Sequence, residues 1–168
     1  MSNTKIKFNP SDLALDSEFR TNPDAESQGK WVRFGSRLEL RIGRAGGANT
    51  KFAQAAAALS RRYGRAIAND SLKPEQLQAI MLEPFLSSVL FGWRTQINAD
   101  DDHPEYIDQV FLWDPDDPDK KEPTGYPFTK ENARKVFRAL PDLFSDALTQ
   151  ASKKESFLAD SGDAVVKN

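Results

Sequence analysis

Residues 30–42, KWVRFGSRLELRI, establish most about the architecture because apolar and charged side chains alternate along them. Successive side chains of a strand point to opposite faces, so this period of two predicts two half-buried strands. A two-residue turn at positions 35 and 36 would mix the faces, whereas a three-residue loop over residues 35–37 keeps them apart. That loop also predicts a positive φ at Arg37. The cross-strand pairs in this register are Phe34 with Leu38, Val32 with Leu40, Arg33 with Glu39, and Trp31 with Arg41.

After this hairpin the periodicity changes to that of a helix. Asn49 is a good N-cap, and the alanine-rich segment after it predicts a long helix to about Asn69. One apolar stripe follows the helix at spacings of three and four residues, and basic residues lie elsewhere on its surface. The stripe consists of Phe52, Ala56, Leu59, Tyr63 and Ile67.

Proline and capping residues divide the rest of the chain into further helices. A second helix is predicted from about Pro74 to Gly92, with a kink or break at Pro84, because proline cannot donate a backbone hydrogen bond. Thr129 is a good N-cap for the next helix. Pro141 ends that helix and suits the first turn of another.

Together these elements predict a mainly α fold, a small helical bundle with an N-terminal β-hairpin. A single helical domain is expected over residues 30–160, with the hairpin at residues 30–43. Residues 1–29 carry only sparse apolar side chains and are predicted to form a flexible arm. Residues 161–168 are predicted to form a disordered tail. The acidic, proline-rich stretch at residues 94–127 predicts a long loop.

The composition argues against several classes of protein. The chain has 168 residues, enough for one domain, and its 23 basic and 25 acidic residues leave a net charge of -2. No overall field therefore favours a phosphate backbone or an anionic membrane. Cysteine is absent, which excludes disulfides and fits a reducing cytosol. The first residues lack a signal-peptide pattern, and no apolar run is long enough to span a bilayer, so we expect a soluble cytoplasmic protein.

No group of residues has the pattern of a catalytic, cofactor-binding or metal site. The single histidine, His103, lies in DDDHPE, where hydrated carboxylates lack the ordered partners that a metal or acid–base site needs. Residues 114–125 carry four aspartates but depart from the EF-hand pattern at its glycine and its glutamate. RAGGANTK, residues 44–51, has the spacing of neither a P-loop nor a dinucleotide fingerprint. We predict a protein that is not an enzyme and has no cofactor or metal.

Positive charge is concentrated in the first half of the chain, whereas the segment after Gly92 is acidic. Two solvated surfaces explain this asymmetry, and a nucleic-acid face is the alternative interpretation. The arginines concerned are Arg33, Arg37, Arg41, Arg44, Arg61, Arg62 and Arg65.

Three further patterns occur in a fixed order. They are KWVRFGSRLELRIGRAG before the alanine- and arginine-rich helix, VLFGWR at residues 89–94, and YPFTKENA at residues 126–133 followed by LPDLF at residues 140–144. In this order they resemble the tail assembly chaperones of long-tailed, siphovirus-like bacteriophages over about residues 30–158. In that family the glycine–tryptophan pair closes a helix before a variable loop, and the later motifs open and join the C-terminal helices. The acidic stretch at residues 100–123 is longer than the family's usual connection.

The resemblance implies a chaperone of the host cytoplasm that is absent from the finished virion. It would keep the hydrophobic tape measure protein soluble and help recruit tail tube protein, and self-association is compatible with the sequence. Large apolar side chains could bind an amphipathic partner helix, although each of them also suits a core position. These candidate partner-binding residues are Met81, Phe85, Phe91, Trp93, Phe137 and Phe144.

Two alternatives belong to other classes of protein. A structural tail or connector protein would share the size and the acidic segment, and it would remain in purified particles. A regulatory nucleic-acid-binding protein would use the arginines of the hairpin and the first long helix, and its binding would depend on salt.

Overall fold

The computed structural model describes residues 9–159, in which two antiparallel sheets and the helices share one core. The predicted tail at residues 161–168 and the first eight residues of the predicted arm lie outside the described part. The helices are α1 (Asp16–Phe19), α2 (Pro23–Gln28), α3 (Thr50–Ala68), α4 (Pro74–Ser88), α5 (Lys130–Ala139) and α6 (Pro141–Ser152), with 3₁₀ turns at Pro10–Leu13 and Lys154–Phe157. The strands are β1 (Lys30–Phe34), β2 (Leu38–Ile42), β3 (Leu90–Gln96), β4 (Tyr106–Ile107), β5 (Gln109–Leu112) and β6 (Thr124–Pro127).

The N-terminal hairpin has the register that the alternation predicts. β1 pairs antiparallel with β2, and Phe34 lies opposite Leu38 across a three-residue loop. The predicted positive φ at Arg37 is wrong, because the loop places it at Gly35, with φ +66°. Glycine lacks a Cβ and adopts this conformation without steric cost, so it is the residue that turns the chain.

The prediction of a mainly α helical bundle is wrong. β2 continues through β3 to β4 in a four-stranded antiparallel sheet, and β5 and β6 form a second sheet. Gly92 and Trp93, expected to close a helix, lie inside β3, which begins two residues after α4 ends. Of the kink or break predicted at Pro84, the break does not occur, because α4 runs from Pro74 to Ser88 without interruption.

Two segments predicted to lack regular structure also differ from expectation. Residues 94–127 contain the end of β3 and the strands β4 to β6 rather than one long loop. In the predicted arm, residues 9–28 form a 3₁₀ turn and the helices α1 and α2. The large apolar side chains of this segment, Leu13, Leu15 and Phe19, are exposed. Backbone hydrogen bonds to residues 157–159 attach the segment to the rest of the fold. Asn22 N–H donates to the Phe157 carbonyl at 2.8 Å, and Ala159 N–H donates to the Arg20 carbonyl at 2.9 Å.

The core lies between one face of the larger sheet and the helices α4, α5 and α6, with the second sheet against β3. Trp93 joins the two sheets, since its indole N–H donates to the Tyr126 carbonyl at 3.0 Å. Apolar side chains with 5% exposure or less form this core, namely Leu40, Ile42, Leu82, Phe85, Leu86, Val89, Leu90, Trp93, Val110, Ala133, Val136, Phe137, Phe144, Ala147 and Ala151.

Candidate protein-binding surface

The structure separates the six candidate partner-binding residues into two groups. Four of them are core residues whose side chains are almost completely buried, namely Phe85, Trp93, Phe137 and Phe144. Met81 and Phe91 are half-buried. A partner therefore reaches Met81 and Phe91 directly, whereas contact with the buried faces of the other four requires the core to open.

The buried aromatic residues form a cluster where α4, α5 and α6 meet. The Phe85 ring packs edge to face against Phe137, with centroids 5.6 Å apart, and against Phe144, at 5.3 Å. Such pairs contribute about 0.5–1.5 kcal/mol beyond their area burial. This cluster holds the three helices together, so its first role is structural.

A groove of about 440 Å³ lies between the N-terminal halves of α4 and α6. Both helices begin there with a proline, and the Gln78 side-chain amide donates to the Pro141 carbonyl at 2.9 Å, which links them. The apolar part of its lining consists of Pro74, Leu77, Met81, Pro141, Phe144 and Leu148. Glu75 and Asp142 add carboxylates to the lining. An apolar groove of this kind suits an amphipathic helix.

The sequence predicted only part of this groove. Met81 and Phe144 were candidates because of their size, whereas Leu77 and Leu148 were not among the candidates. The two prolines at the starts of α4 and α6 were a usable signal for two helix ends, yet nothing local indicates that these ends lie side by side.

The groove is continuous along the chain with a helical hairpin that has little buried surface. None of residues 50–81, which comprise α3 and the first half of α4, is fully buried. Leu77 is 39% exposed and Ile67 is 44% exposed. This hairpin therefore retains apolar surface that a protein partner can cover. Covering it would favour association, because burial of apolar surface is the main driving force for binding. Residues 50–81 are called the distal hairpin below.

Buried hydrogen bonds fix the start of the distal hairpin. Asn49, 2% exposed, caps α3 by accepting from Phe52 N–H at 3.3 Å. Its amide nitrogen donates to the carbonyls of Arg44 and Ser88, each at 2.8 Å. The predicted N-cap at Asn49 is therefore confirmed, and the same side chain ties α3 to the end of α4.

The glycine-rich loop before α3 holds an anion supplied by the chain itself. The Glu26 side chain is 2% exposed; it accepts from Ala48 N–H and pairs with the Arg44 guanidinium, both at 2.5 Å. A Cβ at Gly47 would lie 2.5 Å from the Glu26 carboxylate, so glycine is required there. Burial disfavours the charged carboxylate, but the hydrogen bonds from Ala48 and Arg44 prevail and lower the pKa of Glu26. The loop at residues 44–48 thus already binds the carboxylate of Glu26.

The outer face of the larger sheet carries a second polar network. The Glu39 carboxylate accepts from Arg94 at 2.7 Å and from the Tyr106 hydroxyl at 3.0 Å. The Arg94 guanidinium lies 4.2 Å from the Trp31 ring centroid and 3.8 Å from that of Tyr106. Arg33 contacts the same carboxylate at 3.5 Å. Arg33 of the hairpin and Arg94 of β3 are thus engaged within the sheet, which reduces the availability of Arg33 for nucleic acid.

The acidic residues after β3 are exposed and serve the local turns. Asp100 accepts from the backbone N–H groups of Asp102 and His103, and His103 Nδ1 lies 3.4 Å from Asp100. The His103 side chain is 87% exposed. Within residues 9–159, no group of three or more His, Asp or Glu side chains is placed to hold a metal ion.

An ion pair on the surface connects α4 to α5. Arg134 donates two hydrogen bonds to Glu83, at 2.6 and 3.0 Å. These bonds lower the pKa of the Glu83 carboxyl, against a smaller opposing effect of burial. The pair is partly exposed and lies outside the groove lining.

None of the helices in residues 9–159 combines the length and the apolar character that crossing a membrane requires.

Comparison with known proteins gives one family. The model of a family described as YdaY prophage protein matches residues 47–168, well over half of the chain. The matched region includes the distal hairpin, α4, β3 and the C-terminal helices. No curated protein matches the chain, and no solved structure does.

Proposed function

We propose that this chain, which belongs to the YdaY prophage protein family and is therefore phage-derived, is a tail assembly chaperone. Its client would be the tape measure protein, which it keeps soluble, and it would help to recruit tail tube protein. The observation that carries the proposal is the apolar groove between α4 and α6, continuous with the exposed distal hairpin. The phage origin makes a long, helical phage protein a suitable client.

The groove supports reversible masking of an apolar helix. Leu77 and Met81 are one turn apart on α4, and the segment from Pro74 to Met81 rises about 10 Å, or two turns. A partner helix would bury two or three large side chains there, each contributing roughly 1.5–3 kcal/mol. Binding of this strength is offset by the entropy of association, so the client can be released when assembly covers the same surface.

This function needs no chemical step. The chaperone would act in the host cytoplasm, without a cofactor or turnover, and would leave before the virion is complete. The buried acids support this interpretation, because Glu26 and Glu39 both have their carboxylate oxygens occupied by internal donors. A carboxylate held in this way is a structural group rather than a general base.

Co-expression with the tape measure protein of the same phage tests the proposal. The wild-type chain should raise the soluble yield of the tape measure protein and copurify with it. The double variant Leu77→Asp/Met81→Asp should lower the affinity about tenfold or more, because two anchors of the groove become charged. Ile97→Asp is the matched control, since Ile97 is 55% exposed and lies outside the groove lining. Circular dichroism checks that each variant folds.

Two results would contradict the proposal. The first is a tape measure protein that is equally soluble with and without this chain. The second is an equal effect of the groove variant and the Ile97 control. Mass spectrometry of purified particles adds a separate test, because a structural tail or connector protein would be retained in them at fixed stoichiometry.

A further inference from the structure

The two helices that form the walls of the groove begin with the same sequence pattern. α4 starts with PEQLQAIM at residues 74–81, and α6 starts with PDLFSDAL at residues 141–148. In each segment a proline comes first and a carboxylate second, an uncharged polar side chain is fifth, and large apolar side chains are fourth and eighth. These positions of both helices are the ones that line the groove. The lining is therefore built twice from one arrangement of side chains.

The apolar positions of the pattern form a short strip on each wall. Leu77 and Met81 are four residues apart, which places them one above the other on α4. Phe144 and Leu148 have the same relation on α6. The Phe144 ring is buried, whereas the other three side chains are exposed or half-buried. The groove therefore offers accessible apolar side chains above a buried aromatic ring, which suits the apolar stripe of a helix.

The charged side chains of the lining all have the same sign. Glu75 and Asp142 are exposed, and no lysine or arginine is among the lining residues. Within residues 9–159, neither carboxylate forms an ion pair. Lys73, which precedes α4, lies outside the lining. Both carboxylates are therefore available to a cation on a partner.

The carboxylates determine the sign of the electrostatic potential in the groove, although two helices begin there. The aligned peptide dipoles of a helix place a partial charge of about +0.5 at its start. Glu75 and Asp142 lie in the first turns of α4 and α6, where each adds a full negative charge that exceeds this partial charge. The groove therefore combines apolar side chains with a net negative potential, which disfavours an acidic helix and favours a basic one.

We propose that the groove selects amphipathic client helices whose apolar stripe is flanked by lysine or arginine. This inference rests on the proposed function, because it takes the groove as the client-binding site, and it adds the chemistry of the client. One cation of the client helix lies near Glu75 and another near Asp142, so each wall contributes one charge contact. The long stems of lysine and arginine also cover apolar surface while their charged ends stay hydrated beside the exposed carboxylates.

Fluorescence anisotropy of the full chain with two labelled synthetic peptides tests this selection. Both peptides are helices of about 14 residues, or roughly four turns, with the same leucine stripe. The positions beside the stripe are lysine in one peptide and glutamate in the other. At about 0.1 M salt the lysine peptide should bind about tenfold or more tightly, because each of two exposed charge contacts changes the affinity by up to about fivefold. At about 1 M salt the difference should shrink to about twofold or less.

Charge variants of the lining show whether the two carboxylates cause the selection. Glu75→Lys/Asp142→Lys should reverse the preference, so that the glutamate peptide binds more tightly. Glu75→Gln/Asp142→Asn should remove the preference, and it keeps the test valid if lysines at two helix starts weaken the fold. Asp24→Lys/Glu105→Lys is the matched control, because it changes the net charge equally at exposed acids outside the lining. Asp24 also follows a proline at a helix start, in α2. The control should keep the wild-type preference.

Three results would overturn the charge selection. Equal binding of the two peptides to the wild-type chain would show that the groove accepts an apolar helix whatever its flanking charges. Tighter binding of the glutamate peptide would show that the helix starts determine the potential, and an acidic helix would then be the occupant. Binding of neither peptide would also contradict the inference. The proposed function fails by a different result, namely a tape measure protein whose solubility does not depend on this chain, so the two failures are distinguishable.

Discussion

The two halves of α4 lie in one helix but belong to different parts of the molecule. From Leu82 onward, large side chains such as Phe85 and Leu86 are buried against the sheet and the C-terminal helices. From Pro74 to Met81, in the distal hairpin, no side chain is fully buried. The apolar side chains of the second half of α4 therefore stabilise the core, whereas those of the first half remain partly accessible to solvent. The difference predicts that substitutions in the second half unfold the protein, whereas those in the first half affect binding.

The largest effect is expected from a paired comparison of Phe85→Ala and Leu77→Ala. Phe85 is 0% exposed and contacts two other aromatic rings, so its removal leaves a cavity and should lower the free energy of unfolding by about 3–5 kcal/mol. Leu77 is 39% exposed, and its truncation should cost about 1 kcal/mol or less. Urea denaturation followed by fluorescence measures both. Equal losses would show that the distal hairpin is part of the main cooperative core.

The next effect concerns the attachment of the segment before β1. Glu26→Gln removes a buried negative charge and leaves Arg44 without its partner, so the free energy of unfolding should fall by roughly 2–4 kcal/mol. Glu18→Gln is the control, because Glu18 is an exposed acid in the same segment. If both variants unfold at the same urea concentration, the Glu26 contacts do not stabilise the fold.

The same pair predicts a pH dependence. The folded-state pKa of Glu26 is lowered, so the unfolded chain binds this proton more readily than the folded chain does. Its contribution is complete above the unfolded pKa, near 4.3 for an ordinary glutamate, and is lost as pH falls through the folded value. The Glu26→Gln variant should therefore lose less stability than the wild-type chain between about pH 5 and pH 2.

The smallest effect is expected at the surface contact between α4 and α5. Glu83→Gln removes the charge that pairs with Arg134, but the two side chains are 56% and 32% exposed, so solvent screens the interaction. The loss should be about 0.5 kcal/mol or less and should shrink at high salt. Glu105→Gln, an exposed acid without an ion pair in the described residues, is the control. A loss above about 2 kcal/mol would mean that this pair belongs to the core contacts.

Local signals in the sequence led to the correct ends of several elements. Asn49 and Thr129 cap α3 and α5 by accepting backbone N–H groups, as their short polar side chains indicate. Pro141 occupies the first turn of α6. In the hairpin, alternation alone selected the register, because a shift of one residue would place every apolar side chain on the solvent face. Each of these features depends on residues that are close together in the chain.

The candidate protein-binding surface was predictable only in part, because it depends on residues that are far apart in the chain. Phe85, Phe137 and Phe144 were chosen as candidate partner-binding residues because their side chains are large. Size does not distinguish a buried ring from an exposed one, and all three rings are buried in the structure. The groove depends on two helix starts, at Pro74 and Pro141, that lie far apart in the sequence. The anchoring role of Glu26 likewise depends on a loop 18–22 residues away.

Sequence patterns were thus sufficient for the helix caps and the hairpin register, because these follow from neighbouring residues. The three-dimensional fold was needed to show that residues 90–96 are a strand, since the hydrogen bonds of β3 are made to β2, about 50 residues earlier in the chain. The fold was also needed to show which apolar side chains stay exposed. Burial depends on what packs against a residue, and packing partners come from distant parts of the chain.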